Sequence, residues 1–272
     1  MKDFSITPKE MVASFWQNRK LIKTLAKREV VGRYRGSVMG IMWSFFNPVL
    51  MLAVYTFVFS VVFKAKWNPA SDSKTEFALV LFSGLLVFNL FSECVNRAPT
   101  LILANTNYVK KVVFPLEILP WVTLCTALFH MMISFFVWLV FYIIFFGQPH
   151  LTILFMPVIL LPLILMTIGI TWLLASLGVY LRDVAQIVGI MTTTLMFLSP
   201  IFYPLSSLPQ KYQTILYLNP LTPIIEQIRA SLIWGQAPEL INFGIYILLS
   251  VIMAWLGFAW FQKTRKGFAD VL

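Results

Sequence analysis

The stretch KREVVGRYRGS at residues 27–37 is basic and polar, and VMGIMWSFFNP at residues 38–48 follows it without a single charge. The next charged residue after Arg35 is Lys64. A basic segment that passes directly into a long apolar run is typical of the point where a chain enters a lipid bilayer from its surface. This stretch therefore predicts a segment at the membrane surface, followed at once by the first membrane span.

Composition indicates that the rest of the chain also lies in a membrane. Of its 272 residues, 59% are hydrophobic and 12% are charged, whereas a soluble domain carries about 25% charged residues. Apolar runs of at least about 18 residues, long enough to span a bilayer, recur along the chain. We therefore predict an all-α integral membrane protein in which residues 1–272 form one transmembrane domain. Basic connectors beside the spans explain the net charge of +10, so no nucleic-acid partner is predicted.

Residues 8–30 are predicted to form an amphipathic helix at the membrane interface. Thr7 is placed to cap its start, and Pro8 suits the first helical position. An apolar stripe opposes a basic one, so we expect the apolar side in lipid and the basic side near anionic headgroups. The apolar positions are Met11, Phe15, Ile22 and Leu25, and the basic positions are Arg19, Lys20, Lys23 and Lys27.

Six membrane spans are predicted from the apolar runs, at residues 38–63, 77–96, 116–146, 151–180, 184–203 and 240–261. Between the last two, residues 208–234 are too polar for a full span and too apolar for a free loop. They are predicted to form two outer re-entrant half-helices, separated at Asn219-Pro220, that border a passage. The alternative is an interfacial hairpin without a gating role.

The distribution of basic residues predicts the orientation of these spans. An even number of spans places both termini on one side, and 16 of the 21 Lys and Arg residues fall on that side. Because basic residues concentrate in cytoplasmic connectors, both termini are predicted to be cytoplasmic.

Ionisable residues also occur within or beside the predicted spans. Glu93 and Arg97 are one helical turn apart, so they could pair with each other at the membrane surface. His130 lies inside the third span, where an ionisable group is a functional candidate. Its own span provides no nearby acid, however, and we therefore interpret His130 as a packed, hydrogen-bonded residue.

Motifs for catalysis and cofactor binding are absent from the sequence. It has no GxxxxGK[S/T] phosphate loop, so this chain is not predicted to bind ATP. His130 and His150 lack metal-ligand spacing, and no pair of acids is placed for hydrolysis. Cys94 and Cys125 lie in apolar segments and imply neither a disulfide nor a metal site. We predict no catalytic residue, metal or cofactor in this chain.

Aromatic residues make up 16% of the chain. Their faces can pack against the C–H faces of sugar rings without demanding one hydrogen-bond pattern, which would let a repetitive polymer slide. For any single residue, core packing or an interface belt is the alternative. The residues predicted to line a channel are Trp43, Phe46, Tyr55, Phe197, Phe202 and Tyr203.

Motifs distributed over nearly the whole chain carry a family resemblance. They are residues 27–37, Gly40 with Trp43 and Pro48, residues 105–115, SLGVYLRD at 176–183 and YLNPLTP at 217–223. Together they resemble the membrane subunit of ABC-2-type exporters, in particular permeases for O-antigen and related capsule or teichoic acid polymers. The resemblance implies a homodimer of six-helix subunits in the bacterial inner membrane. It also implies two copies of a separate ATPase, which binds ATP and Mg.

The resemblance assigns roles to particular residues. Contact with the ATPase is expected from Asn105, Thr106, Asn107, Tyr108, Lys110, Lys111, Arg182 and Asp183. The outer gate is expected to include Tyr217, Asn219, Pro220, Glu226 and Arg229. Independently of the resemblance, Arg33, Tyr34 and Arg35 in the basic stretch 27–37 would meet either lipid headgroups or the diphosphate of a carrier lipid, because arginine binds phosphate bidentately.

The leading hypothesis for function is ATP-driven export of a polysaccharide linked to a polyprenyl diphosphate. An ABC-2 exporter of a drug, lipid or other small amphiphile is the alternative. The scarcity of acids in the spans argues against an intramembrane enzyme acting on lipid-linked sugars. A stand-alone carrier would transport without ATP.

Overall fold

Helices are the only regular secondary structure in the part of the chain that this computed structural model describes, which comprises residues 4–62, 67, 73–110, 114–238 and 240–272. The helices in this part are α1 (Pro8–Gln17), α2 (Arg19–Arg33), α3 (Trp43–Tyr55), α4 (Lys74–Leu101), α5 (Thr106–Lys110), α6 (Leu119–Phe146), α7 (Met156–Tyr180), α8 (Val184–Leu198), α9 (Gln210–Leu216), α10 (Leu221–Leu232), α11 (Leu240–Thr264) and α12 (Phe268–Val271). A π-helix at Thr56–Val62 continues α3.

Five helical segments of the described residues are long and apolar enough to cross a membrane. They are Gly40–Phe59, Thr75–Leu101, Leu116–Phe146, Leu151–Tyr180 and Phe243–Val271. They correspond to the predicted spans at 38–63, 77–96, 116–146, 151–180 and 240–261. Residue 63, the predicted end of the first span, lies outside the described residues.

The predicted span at 184–203 corresponds to the shorter apolar helix α8. It has 15 residues, about 22 Å at 1.5 Å per residue, whereas the hydrocarbon core of a bilayer is about 30 Å thick. The helix ends at Leu198 because Ser199 is extended, with a ψ of 146°, and Pro200 follows. The helix therefore stops five residues before the predicted boundary.

α4 lies at the centre of the helix bundle. In its most apolar 18-residue window, 83% of the residues are buried, compared with 11% in the span that contains α3. α4 packs against α6, α7, α8 and α10, and α7 packs along α11. The first span is therefore peripheral in one copy of the chain, with most of its apolar side chains exposed.

The contact between α7 and α11 is a close approach of two backbones. A Cβ atom added at Gly257 would overlap the backbone of Gly169, and one added at Gly169 would lie 2.5 Å from the carbonyl oxygen of Met253. Small residues let helices in membranes approach in this way and gain van der Waals contact. The glycines therefore fix how tightly the last span packs.

The predicted interface helix at 8–30 is two helices, α1 and α2, separated at Asn18. The predicted cap is confirmed, since the Thr7 hydroxyl accepts the Glu10 N–H at 3.2 Å. The prediction that the apolar side faces lipid is wrong for α2. Ile22 and Leu25 pack against the protein, in a cluster with Ile118 and Val122 at the start of α6. The predicted basic side is exposed, at Arg19, Lys20, Lys23 and Lys27.

Candidate functional site

Two ion pairs fasten α2 to the central helix α4. Arg33 Nη2 lies 2.6 Å from Glu93 Oε1, and Arg97 Nη2 lies 2.9 Å from Glu29 Oε2. Glu29 also accepts a hydrogen bond from the Thr126 hydroxyl of α6 at 3.2 Å. The predicted pairing of Glu93 with Arg97 is therefore wrong, because each residue has a closer partner on α2 that sequence spacing does not indicate.

His130 is packed and hydrogen-bonded, as predicted, but its acidic partner comes from the neighbouring span. Its Nδ1 lies 3.0 Å from Oε1 of Glu93 and 3.0 Å from Nη1 of Arg33. A guanidinium nitrogen only donates and an ionised carboxylate only accepts. Nδ1 of His130 can therefore donate to Glu93 when it carries a proton, or accept from Arg33 when it does not, but it cannot do both. His130 Nε2 is buried and has no hydrogen-bond partner among the described residues.

A cavity of about 370 Å³ opens beside this cluster, between the end of α2 and helices α3, α4 and α6. Arg33 and Tyr34 line one end of it, and Tyr55 of α3 also lines it. Arg35 is exposed and does not line the cavity. The three residues predicted to meet headgroups or a carrier lipid are thus divided between two environments. The other lining residues are Ser44, Asn47, Pro48, Met51, Phe82, Leu85, Leu86, Asn89, Leu90, Ser92, Glu93, Ala127, His130, Met131 and Ser134.

The ion pair beside this cavity gives a measurable prediction. Replacing Arg33 with methionine and Glu93 with glutamine, singly and together, is expected to give a coupling energy of about 1 kcal/mol. The value is modest because the side chains are 41% and 19% exposed, so water screens their charges. The measurement is a double-mutant cycle of the unfolding free energy. A cycle of Glu93 with exposed Arg19 should give no coupling, and equal coupling in both cycles would contradict the pairing.

The first predicted ATPase contact forms a short helix near α2. Asn105 ends the turn before α5, and its side chain donates to the Leu101 carbonyl at 2.9 Å. Tyr108 stacks on Phe114 with ring centres 4.2 Å apart, and its hydroxyl accepts from Arg28 at 2.8 Å. This polar bond links α5 to α2. The remaining predicted residues are Thr106, Asn107 and Lys110 in α5, and Lys111, which lies outside the described residues.

The second predicted contact is the turn between α7 and α8. Arg182 and Asp183 are both exposed there. α12 packs against both α5 and α7, and α7 ends just before the second predicted contact. Lys110 donates to the carbonyl oxygen of Leu272 just after α12.

An ion pair that the sequence analysis missed joins the last span to the start of α6. Arg265 Nη1 lies 2.5 Å from Glu117 Oε2, and Nη2 donates to the Phe114 carbonyl at 3.1 Å. Arg265, which lies in the basic segment 263–266, is therefore half-buried and held against the start of α6. Glu117 also accepts from Ser14 of α1 at 3.4 Å. The available signal was an acid at the start of an apolar span, which is a functional candidate by default.

Helices α9 and α10 occupy the region predicted as two half-helices at 208–234. α10 is anchored by Arg229, whose side chain is fully buried. The guanidinium donates to the Val80 carbonyl of α4 at 3.2 Å and to the carbonyls of Pro200 and Ile201, which follow α8. Glu226 lies 3.1 Å away. Arg229 thus joins three segments of the chain.

The charge of Arg229 is retained despite its burial. Burial lowers the pKa of Arg229 to about 10, and the Glu226 carboxylate opposes that shift. This pKa is well above neutrality, so the side chain is a cation at pH 7. The Trp67 ring lies over the guanidinium at 4.2 Å, a favourable arrangement for a cation.

The other residues of the predicted gate lie around this anchor. Asn219 donates to the Ser199 hydroxyl at 2.8 Å, and Pro220 immediately precedes α10. Tyr217 is 50% exposed on the surface after α9. The structure therefore places Asn219 and Arg229 against the residues that directly follow α8.

Some of the aromatic residues predicted to line a channel form one cluster. Phe202 lies 6.1 Å from Tyr55 and 5.9 Å from Phe197, measured between ring centres. Phe59, which the prediction omitted, stacks on Phe202 at 5.0 Å. The Tyr203 hydroxyl donates to the Phe197 carbonyl at 3.3 Å. The cluster thus joins the first span to the end of α8.

The remaining predicted aromatics lie outside this cluster. Phe46 packs edge-on against Phe45 at 6.2 Å, and Trp43 is 40% exposed at the start of α3. α8 itself has an exposed face that mixes polar and apolar side chains along a shallow groove. The residues of this groove are Ala185, Gln186, Gly189, Ile190, Thr193, Thr194 and Phe197.

Helices of membrane-spanning length, ion pairs at the ends of spans and exposed connectors define a multi-pass membrane protein. The chain belongs to the ABC-2 type transporter family, whose model matches residues 20–233. It is 29% identical over 262 residues to an O-antigen export system permease protein RfbA of Myxococcus xanthus, with 96% of this chain and 98% of the relative covered. A Klebsiella pneumoniae protein of the same name is 25% identical over 93% of this chain and 95% of its own length. The polysialic acid transport protein KpsM of Escherichia coli is 23% identical over 94% and 97%.

Proposed function

We propose that this chain is the membrane subunit of an ATP-driven exporter that moves a polysaccharide on a polyprenyl diphosphate carrier out of the cytoplasm. The observation that supports this cargo is the end-to-end similarity to O-antigen export permeases from two organisms. The similarity to a polysialic acid transport protein extends the support to another polymer of sugars. The bacterial inner membrane would be its location.

The translocation path would form between two copies of the chain. The first span and α8 expose most of their surface in one copy, and α8 carries hydroxyl and amide groups on its exposed face. Polar groups at this depth need protein or water beside them, because lipid cannot satisfy them. A homodimer in which the exposed faces of the first span and α8 are opposed would provide both protein and a water-filled path beside these polar groups. The aromatic cluster of Tyr55, Phe197 and Phe202 would lie at the outer end of this path, below the gate helices α9 and α10.

Energy would come from two copies of a separate ATPase, which would bind ATP and Mg²⁺. The ATPase would contact α5 and the turn at Arg182 and Asp183, on the cytoplasmic side together with both termini. The bond between Tyr108 and Arg28 would pass motion of α5 to α2, and the ion pairs of Glu29 and Glu93 would pass it to the spans. Closure of the ATPase would thus bias two states of the membrane domain.

The cargo is tested by deleting the gene and following the polymer. Surface polysaccharide is expected to disappear while lipid-linked polymer accumulates at the cytoplasmic side, and the restored gene should reverse both effects. Normal surface polysaccharide would contradict the proposal. If the deletion instead sensitised cells to amphiphilic drugs, the alternative cargo would be favoured.

The ATPase contact is tested by introducing negative charge on the exposed face of α5. Asn107→Glu with Lys110→Glu is expected to weaken binding of the ATPase about tenfold or more, because charge reversal within an interface is costly. Binding and ATPase stimulation are measured on the reconstituted complex. Gln148→Glu is the matched control, since Gln148 is exposed in the turn at the opposite end of α6. Equal loss in the control and the test variant would contradict the assigned orientation.

A further inference from the structure

The cavity between α2, α3, α4 and α6 contains polar groups that the described protein leaves unsatisfied. Asn47 and Asn89 both line it and are exposed to it, and neither side-chain amide makes a hydrogen bond to any described part of the chain. Ser92 and Ser134 donate to carbonyls of their own helices, which leaves the lone pairs of both hydroxyls free to accept. The cavity wall therefore presents several donors and acceptors at once.

These groups belong to helices of membrane-spanning length. Asn47 lies within Gly40–Phe59, Asn89 within Thr75–Leu101 and Ser134 within Leu116–Phe146. Polar side chains in spans are costly unless protein, water or a ligand satisfies them, and they mark functional sites. Convergence of such groups from three spans on one cavity is therefore a signal of a binding site.

Charge balance decides which ligand this cavity suits. Arg33 is the cation in the lining, and Glu93 neutralises it at 2.6 Å. An incoming anion would have to displace the carboxylate, and a metal ion would compete with the guanidinium for the carboxylate in the same way. A neutral molecule rich in hydroxyl groups needs neither displacement, since amides both donate and accept.

We propose that this cavity binds one sugar unit of the exported glycan before translocation, an inference that rests on the proposed function. Asn47 and Asn89 would bind ring hydroxyls, and the Glu93–Arg33 pair would add an acceptor and a donor. Tyr34, which lines the cavity and is half-buried, would offer aromatic surface to the C–H face of the ring. The volume of about 370 Å³ is at the small end of ligand pockets, which measure about 300–1,000 Å³, so a short saccharide fits better than a polymer.

The test measures sugar binding directly, on the full chain in phosphatidylcholine nanodiscs prepared with a detergent that has no sugar head. Methyl glycosides of glucose, galactose, mannose, rhamnose and N-acetylglucosamine are the probes, and saturation-transfer NMR is the measurement. At least one glycoside is expected to receive saturation. Asn47→Leu with Asn89→Leu should raise its dissociation constant about tenfold or more, because two hydrogen bonds are lost.

Gln148→Leu provides the matched control, since it removes an exposed amide outside the cavity and should leave binding unchanged. Absence of transfer to every glycoside, or equal transfer to the double variant, would overturn the proposal. A parallel titration with inorganic phosphate addresses the charged alternative. Arg33-dependent binding of phosphate without sugar binding would assign the cavity to an anion and would also overturn it.

Export in cells separates this inference from the proposed function. If sugar binding fails while deletion of the gene still abolishes surface polysaccharide, the cavity proposal is wrong and the exporter stands. If sugar binds and the deletion leaves the polysaccharide unchanged, the proposed cargo is wrong. If solvent or a second copy of the chain fills the cavity instead, no glycoside should bind, and the cavity proposal is wrong.

Discussion

Arg229→Met is expected to lower the free energy of unfolding by about 3 kcal/mol or more. Methionine keeps much of the volume but removes every donor, so the carbonyls of Val80, Pro200 and Ile201 lose their bonds to Arg229. The Val80 carbonyl keeps its hydrogen bond from the Ser83 hydroxyl at 2.7 Å, whereas a buried carbonyl left without a partner costs about 1–3 kcal/mol. Glu226 also loses its cation at a partly buried position.

Arg229→Lys is expected to recover less than half of this loss. A guanidinium binds three carbonyls because its donors point in fixed, divergent directions, whereas an ammonium is a compact charge on a flexible stem. The side chain also fits closely against α4, where a Cβ at Gly84 would lie 2.8 Å from Nη2. The measurement is reversible unfolding in micelles or thermal unfolding in nanodiscs.

Arg19→Met is the matched control for this substitution. Arg19 is exposed on α2 and stacks on Trp16 at 4.7 Å, so its loss should cost about 0.5 kcal/mol or less. Equal stability of the two variants would show that Arg229 does not anchor α10. A second readout is protease sensitivity of α9 and α10, which should rise in Arg229→Met and stay unchanged in Arg19→Met.

The positions of the spans could be predicted because an apolar run of about 18 residues or more is seldom anything other than a membrane span. The predicted bounds at 116–146 and 151–180 match those of two observed segments. The end of α8 was misplaced because Ile201, Phe202 and Tyr203 are apolar and continue the run past Ser199. The helix ends because the backbone of Ser199 is extended, and hydropathy contains no information about backbone conformation.

Which surface covers an amphipathic helix could not be predicted from its period. Ile22 and Leu25 repeat at helical spacing whether lipid or protein lies opposite, and only the fold shows that the start of α6 covers them. The same limit applies to ion pairs. Glu93 is four residues from Arg97 but pairs with Arg33, 60 residues away, because helix contacts bring distant segments together. Roles assigned by resemblance therefore stay predictions, including those of Asn107 and Arg182.

Gly257→Ala is expected to destabilise the protein by about 3 kcal/mol, although it adds a single methyl group. The added Cβ would overlap the backbone of Gly169 on α7, and a backbone cannot move aside as a flexible side chain can. The two helices would have to separate, which sacrifices contacts along the interface. The measurement is the unfolding free energy of the purified chain, with the yield of folded protein as a second readout.

Gly244→Ala tests whether this cost arises from the helix contact or from the substitution itself. Gly244 lies on the same helix, α11, and a Cβ there would meet nothing within 4 Å. Alanine is favoured over glycine by about 1 kcal/mol in a helix, so this variant should be unchanged or slightly more stable. Gly257→Leu should prevent folding altogether if the close approach is required. Equal effects at positions 244 and 257 would contradict close packing of α11 on α7, because the two variants share their chemistry and differ only in what lies opposite.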